Sequence, residues 1–233
     1  MSKVCYVTYE QISKQIAAVT GDRPAAPTGA MAKIHQQMQT AVGEMFFTPK
    51  LILVEGLEDA AYITTYLTLM ERWGEFRRFG CHIVPANGKS SMIQPLAIAK
   101  TMSIATYVVF DSDGEKPDKN GSRAKHQKDN EAILKLMGDA SPDPFPADTY
   151  WGSGVTMWNS EIGKVVEADI GENDWQQFSQ EADKQSGQVG DLKKNSLHIA
   201  ASLAFAWDEE KKSANLERVC ENILEFAGHR PTG

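Results

Sequence analysis

Two hydrophobic rhythms alternate along this chain. Three short apolar runs stand out near its middle: Leu51–Val54 (LILV), Cys81–Pro85 (CHIVP) and Thr106–Phe110 (TYVVF). Uninterrupted runs of this length, closed by acid, Gly or Pro, predict strands covered on both faces, as in a parallel sheet. Around them apolar residues recur at three- and four-residue spacing, the period of an amphipathic helix. Such stripes mark Thr8–Thr20 (Ile12, Ile16, Val19), Ala30–Phe47 (Met31, Ile34, Met38, Val42, Met45) and Ala60–Trp73 (Ile63, Leu67, Met70, Trp73). The methionines of the second stripe fit a helix–helix core better than a binding groove. A shorter helix is expected over Met92–Met102, interrupted at Pro95, and another after an Asp129 cap, with Ala132, Ile133, Leu136 and Met137 inward. Gly21–Gly29 and Asp139–Asp148 are loops by their Gly and Pro content. Thr149–Gly154 is a further strand or edge, and helical spacing returns in Asn173–Ser186, Ser196–Trp207 and Ala214–Ala227. The pattern predicts an α/β fold: a parallel sheet in the middle, helices around it, and both ends helical.

Composition narrows the class only a little. With 233 residues and 42% hydrophobic content the chain can bury one large core or two small ones. A net charge of −7 argues against a generally basic nucleic-acid coat protein, but allows one local basic patch. Cys5, Cys81 and Cys220 are too far apart for a Cys-rich zinc motif and suit reduced thiols. No apolar run approaches the roughly eighteen residues of a membrane span, and no signal-peptide pattern is visible. A cytoplasmic protein without a membrane partner is expected.

The chemistry gathers where strands end. LILV runs straight into Glu55-Gly56, with Asp59 four residues beyond Glu55. In open α/β sheets the carboxyl edge of the strands is where ligands sit. Either Glu55 is a solvated edge acid and Asp59 a helix cap, or both acids face one crevice. TYVVF likewise runs into Asp111-Ser112-Asp113-Gly114. Side chains two apart in a strand project the same way, so Asp111 and Asp113 share a face if the extended geometry persists. Asp-Ser-Asp-Gly is also ordinary turn chemistry. Taken together, adjacent strand ends bring four carboxylates into one cleft, which is unfavourable without a cation. Divalent metals with hard oxygen ligands are the remedy, and two such ions suit phosphodiester hydrolysis.

Two basic features lie close by. Gly88-Lys89-Ser90-Ser91 is not an ATP-binding loop, since Ile83 stands where that loop requires a glycine. Lys89 is then a surface turn or a contact to a nucleic-acid phosphate. Lys116–Asn130 holds Lys116, Lys119, Arg123, Lys125 and Lys128, with His126 among them, in the one dense basic segment. It is either a solvated loop or a DNA-backbone contact.

At these residues the chain resembles a known family. A strand ending in Glu-Gly with an acid four residues past the Glu, followed by a strand ending in Asp-x-Asp, resembles the Toprim domain of topoisomerases, primases and several nucleases. FFTPK leading into LILVEGLED, then VPANGKSS, VVFDSDGEK and the late LKKNSLHIAASLA, is similar to the C-terminal region of OLD (overcoming lysogenization defect) endonucleases, over about residues 44–207. The resemblance implies a Toprim-like, Rossmannoid parallel sheet flanked by helices, with an additional helical domain from the two chain ends. Its parts would be residues 1–47, a helical segment packing with the C-terminal helices; 48–155, the catalytic Toprim domain; and 156–233, a helical domain.

It further implies a DNA endonuclease using two divalent cations, Mg or Mn. Glu55, Asp59, Asp111 and Asp113 would be ligands, with Glu58 able to replace Asp59. Glu55 and Asp111 would act in catalysis. A later acid, Glu161 or else Glu167, would complete the metal set, and Lys194 (Lys193 next) would stabilise charge on the phosphate. Lys89, Lys116, Lys119, Arg123, Lys125 and Lys128 would contact DNA. OLD proteins normally carry an N-terminal ATPase, and this chain has no phosphate loop, so the expectation is a C-terminal fragment with that ATPase as partner, in a whole whose oligomeric state the sequence leaves open. The alternatives are a haloacid-dehalogenase-type phosphatase, which VVFDSDG resembles although Glu115 after Gly114 departs from it, and a non-catalytic Toprim-like DNA-binding module.

Overall fold

The computed structural model describes residues 6–37, 41–139, 143–186 and 195–229. Within them α1 (Tyr9–Thr20), α2 (Pro27–Gln37) and a 3-10 segment (Ala41–Phe47) precede β1 (Lys50–Val54). Then follow α3 (Leu57–Leu69), α4 (Trp73–Arg78), β2 (Cys81–Pro85), α5 (Lys89–Thr101), β3 (Ala105–Asp111) and α6 (Ser122–Met137). A hairpin of β4 (Tyr150–Gly152) and β5 (Val155–Trp158) leads to α7 (Ile162–Ile170), α8 (Glu172–Ser186), α9 (Ser196–Asp208) and α10 (Ala214–Gly228).

The strands form one sheet in the order β2-β1-β3-β5-β4, parallel except for the β4–β5 pair. LILV is fully buried because each of its faces meets a helical layer. Leu51 and Leu53, with Val108, Phe110, Val155 and Met157, join a core that α5, α6 and Ile12 of α1 complete. Ile52 and Val54, with Tyr107, Val109 and Trp158, point the other way into a core shared with α3, α7, α9 and α10. The result is three layers, helix–sheet–helix. The registers Val54↔Val109 and Asp111↔Trp158 align the carboxyl ends of β1, β3 and β5. Among the described residues no helix is long and apolar enough to cross a membrane.

Several expectations are corrected. Val155–Trp158 is a strand, wholly buried, which the helical spacing beyond it conceals. The expected border at residue 155 therefore cuts through a central strand. Helix α1 packs on α5 and α6, on the sheet face opposite the core that α9 and α10 join, where the expectation had the N-terminal segment beside the C-terminal helices. The long helix over Ala30–Phe47 ends at Gln37, Met31 of its supposed stripe is 44% exposed, and Met38 lies outside the described residues. The helix expected through Trp73 stops at Leu69, and a left-handed Glu71 (φ 59°) turns the chain before Trp73 opens α4. Helix α5 begins at Lys89 and runs on through Pro95. Helix α6 begins at Ser122, so Asp129 is a buried interior residue rather than its cap.

Candidate metal centre

The carboxyl ends of β1 and β3 hold the acids. Glu55 follows β1 directly; its N–H donates to Val109 O (3.1 Å), and its carbonyl accepts from Gly88 N–H (2.8 Å). Its Oε2 accepts from the Asp111 N–H at 3.3 Å, which ties the acid of one strand to the backbone of the next. Asp59 lies in the first turn of α3, where its Oδ2 accepts from Gly56 N–H at 2.9 Å. Asp111 is the last residue of β3. Asp113 takes a left-handed φ of 60°, so the strand alternation that would align it with Asp111 does not continue. Ser112 between them is buried, accepts Asn130 Nδ2 at its carbonyl and donates its hydroxyl to Asn159 O. This pins the turn between β5 and α6.

The acids divide into two electrostatic groups. Burial, then the Glu55 charge, pushes Asp59 up to about 7. Burial, then the charges of Asp59 and Glu55, raises Asp111 well above the usual carboxylate range. Glu55 is raised by burial, against the opposing pull of Lys89. The Oδ1 atoms of Asp59, Asp111 and Asp113 are all buried without a hydrogen-bond partner, although that of Asp113 has an ion-pair contact. Asp113 behaves oppositely. Burial would raise it, but the contacts from Lys116 and Lys89 outweigh that and hold it below its ordinary value. Lys89 Nζ donates to Asp113 Oδ2, with both side chains about 4% exposed. Lys116 Nζ stands 2.5 Å from Oδ1, and His126 Nδ1 lies 3.0 Å from Oδ2.

A dication fits this chemistry. Among the described residues no three His, Cys, Asp or Glu side chains already stand in ligand geometry. The orphaned Asp59 and Asp111 oxygens are hard donors of the kind Mg and Mn take. Residues 46–113, the span from the end of the 3-10 segment to Asp113, match the family model of the "Overcoming lysogenization defect protein-like, TOPRIM domain". This segment is an OLD-like TOPRIM domain.

Two solved structures of the C-terminal region of the Xanthomonas campestris pv. campestris OLD protein, phased with iodine and with platinum, share its fold. Each has a TM-score of 0.51; identities are 13% and 16%, covering 78% and 79% of this chain and 97% and 96% of those chains. No curated protein matches the sequence.

All four early acids fall inside the TOPRIM match; the late candidates lie beyond it. Glu161 precedes α7, and its Oε1 is 3.3 Å from Lys116 Nζ, on the rim of the cluster. Glu167 lies farther along α7, where with burial and Glu58 it raises the Tyr62 phenol. Gly163 leaves room there: a Cβ on it would stand 3.3 Å from Tyr62 Oη and 3.4 Å from Glu58 Oε1. Lys193 and Lys194 lie outside the described residues.

The basic candidates scatter. Lys89 is not the exposed turn residue the sequence suggests, for it is buried on Asp113. Lys116 joins it there. Arg123 donates to Gly114 O (2.8 Å) and covers the Phe145 ring, Lys128 pairs with Asp22 (2.7 Å), and Lys119 and Lys125 are exposed. His126 is the residue the sequence reading missed as a site member. Its signal was the spacing His126, Asp129, Asn130 on one helical face, hidden because the segment reads as a loop. Asp129 there accepts Ser90 Oγ (2.5 Å), which fixes the start of α5 against α6.

Proposed function

We propose that the TOPRIM domain is a divalent-metal-dependent DNA endonuclease, with Mg or Mn held by Glu55, Asp59 and Asp111. The observation that carries this reading is the pair of buried, unpartnered oxygens of Asp59 and Asp111 beside Glu55. Three crowded carboxylates with raised proton affinity are unstable as anions unless a cation joins them. When bound, the ion supplies charge stabilisation to a phosphodiester and acidifies an attacking water.

The protein's own residues do the rest. Asp59 and Asp111 would hold the ion as carboxylates and would give up their protons on loading. Glu55, anchored by one oxygen on the Asp111 amide, has a raised proton affinity that suits accepting a proton from the attacking water. Lys116, half exposed between Asp113 and Glu161, can neutralise the phosphate as charge develops. Lys194 remains a proposed second cation for that role. Exposed Lys119, Arg123, Lys125 and Lys128 follow the cluster in sequence and supply backbone charge for DNA. An N-terminal ATPase, which the resemblance to OLD endonucleases implies, is the proposed working partner.

The test is nicking of supercoiled plasmid with Mn or Mg. Wild-type protein should nick, EDTA should stop it, and Asp111→Ala should remove the activity. Undiminished nicking by that variant overturns the reading.

A further inference from the structure

We infer that the cleft enclosed by α1, α2 and α5 is a binding site for a small apolar carboxylate, an aliphatic or aryl monoacid. The inference is independent of the metal-nuclease reading, since the cleft shares no residue with the acidic cluster. Its volume is about 450 Å³, within the range of small-molecule pockets. Ile12, Ile16 and Ala17 of α1, Ile34 of α2 and Ile93 of α5 form its apolar walls. Hydrogen bonds fix the frame. Tyr9 Oη and His35 Nε2 (3.0 Å) join α1 to α2, Ser13 Oγ donates to Ala25 O (3.0 Å), and Thr101 Oγ1 donates to Gln15 Oε1, which joins α5 to α1.

Two polar groups lining this cleft await a partner. Gln94 is 8% exposed, and its Nε2 is buried without an acceptor. Buried donors are nearly always satisfied, because their desolvation otherwise goes uncompensated. Arg23 is exposed and has no ion-pair partner among the described residues. Asp22, which would repel an anion, is already neutralised, for both its oxygens accept from Lys128 (2.7 and 2.8 Å). The lining hydroxyls are occupied too: Ser90 donates to Asp129, Ser13 to Ala25, and Thr20 accepts from the Asp22 N–H. A carboxylate supplies an acceptor for the amide N–H and a counter-charge for the guanidinium, while its hydrocarbon part covers the isoleucines. Water could accept from Gln94, but would leave those walls wet and Arg23 unpaired.

Octanoate is the probe, titrated into the metal-free protein by calorimetry and by NMR of isoleucine δ-methyl groups. One octanoate should bind, with a dissociation constant of about 0.1 mM. It should shift the methyls of Ile12, Ile16, Ile34 and Ile93, and leave those of Ile63 and Ile223, in the core on the other sheet face, unmoved. Arg23→Ala and Gln94→Leu should each weaken binding at least about tenfold, and 1-octanol should bind at least about tenfold more weakly than octanoate. No saturation by about 5 mM octanoate overturns the inference. So does binding that neither substitution weakens, a shift confined to other isoleucines, or octanol binding as tightly as octanoate. If Gln94→Leu fails to fold, Arg23→Ala, at an exposed position, and the octanol comparison still decide. A failed nicking assay would sink the nuclease reading and leave this result standing.

Discussion

The two walls of the acidic cleft carry the same functional group in opposite electrostatic states. On the β1–α3 side, Asp59 is buried and Glu55 and Asp111 are part-buried, mutually repelling and partly unpartnered. On the other side Asp113 is buried as deeply as Asp59, yet lysines beside both its oxygens hold it ionised. Asp59 and Asp113 match in burial, so the presence of a built-in cation separates them. The pH dependence follows with opposite signs. Asp59, raised from 3.8 to about 7, contributes stability present at low pH that is lost as pH rises through about 7. Asp113, lowered, contributes stability present above the ordinary carboxylate range that is lost as pH falls through its folded value. One wall waits for a charge to be brought; the other carries its own.

The most damaging way to disturb this contrast is on the open wall. Asp111→Asn should lower Mn-dependent nicking by about 10³-fold, roughly 4 kcal/mol of transition-state stabilisation. Asp113→Asn should cost much less if Lys89 and Lys116 supply the charge on that side. Next in size, Lys89→Met should destabilise the metal-free protein by about 3 kcal/mol, because it strips one cation from a buried carboxylate. Adding Asp113→Asn to it should recover most of that loss, read by urea unfolding as a double-mutant cycle. Saturating Mn, at about a hundredfold above its dissociation constant, should stabilise wild type by about 2.7 kcal/mol. Chelation should return the melting temperature to its starting value, and Asp59→Asn should abolish the shift.

A smaller effect is the pH response of the metal-free protein. Its melting temperature should fall between about pH 4 and pH 7 as Asp59, raised from 3.8 to about 7, ionises in the folded state, and Asp59→Asn should flatten that slope and gain about 1–2 kcal/mol at pH 8. A slope unchanged by Asp59→Asn would mean that the repulsion resides elsewhere. Smallest of all, Lys119→Ala should reduce the salt dependence of DNA affinity by about one unit of slope and leave nicking chemistry untouched. A loss of nicking at saturating DNA would instead place Lys119 in the catalytic machinery.

Much of this protein was determined locally. LILV and TYVVF have little polar surface to turn to water, so a sheet covered on both faces accommodates them, and as parallel strands they bring their acidic ends to one edge. The grouping of Glu55, Asp59 and Asp111 was legible for that reason, as was the TOPRIM resemblance that their spacing carries. Tertiary structure decided what spacing leaves open. Val155–Trp158 could be recognised as a strand only beside β3, because a four-residue stretch such as VTMW is equally a turn of helix. The positive φ of Asp113 depends on the pinned turn at Ser112. Lys89 looked like a surface lysine because a Gly-Lys-Ser-Ser stretch is polar in isolation. Its burial appears only when α5 is fixed against α6 through Ser90 and Asp129. Sequence alone supplied the carboxylates; the fold decided which of them already has its cation, because charge pairing across a cleft depends on distances the chain order does not encode.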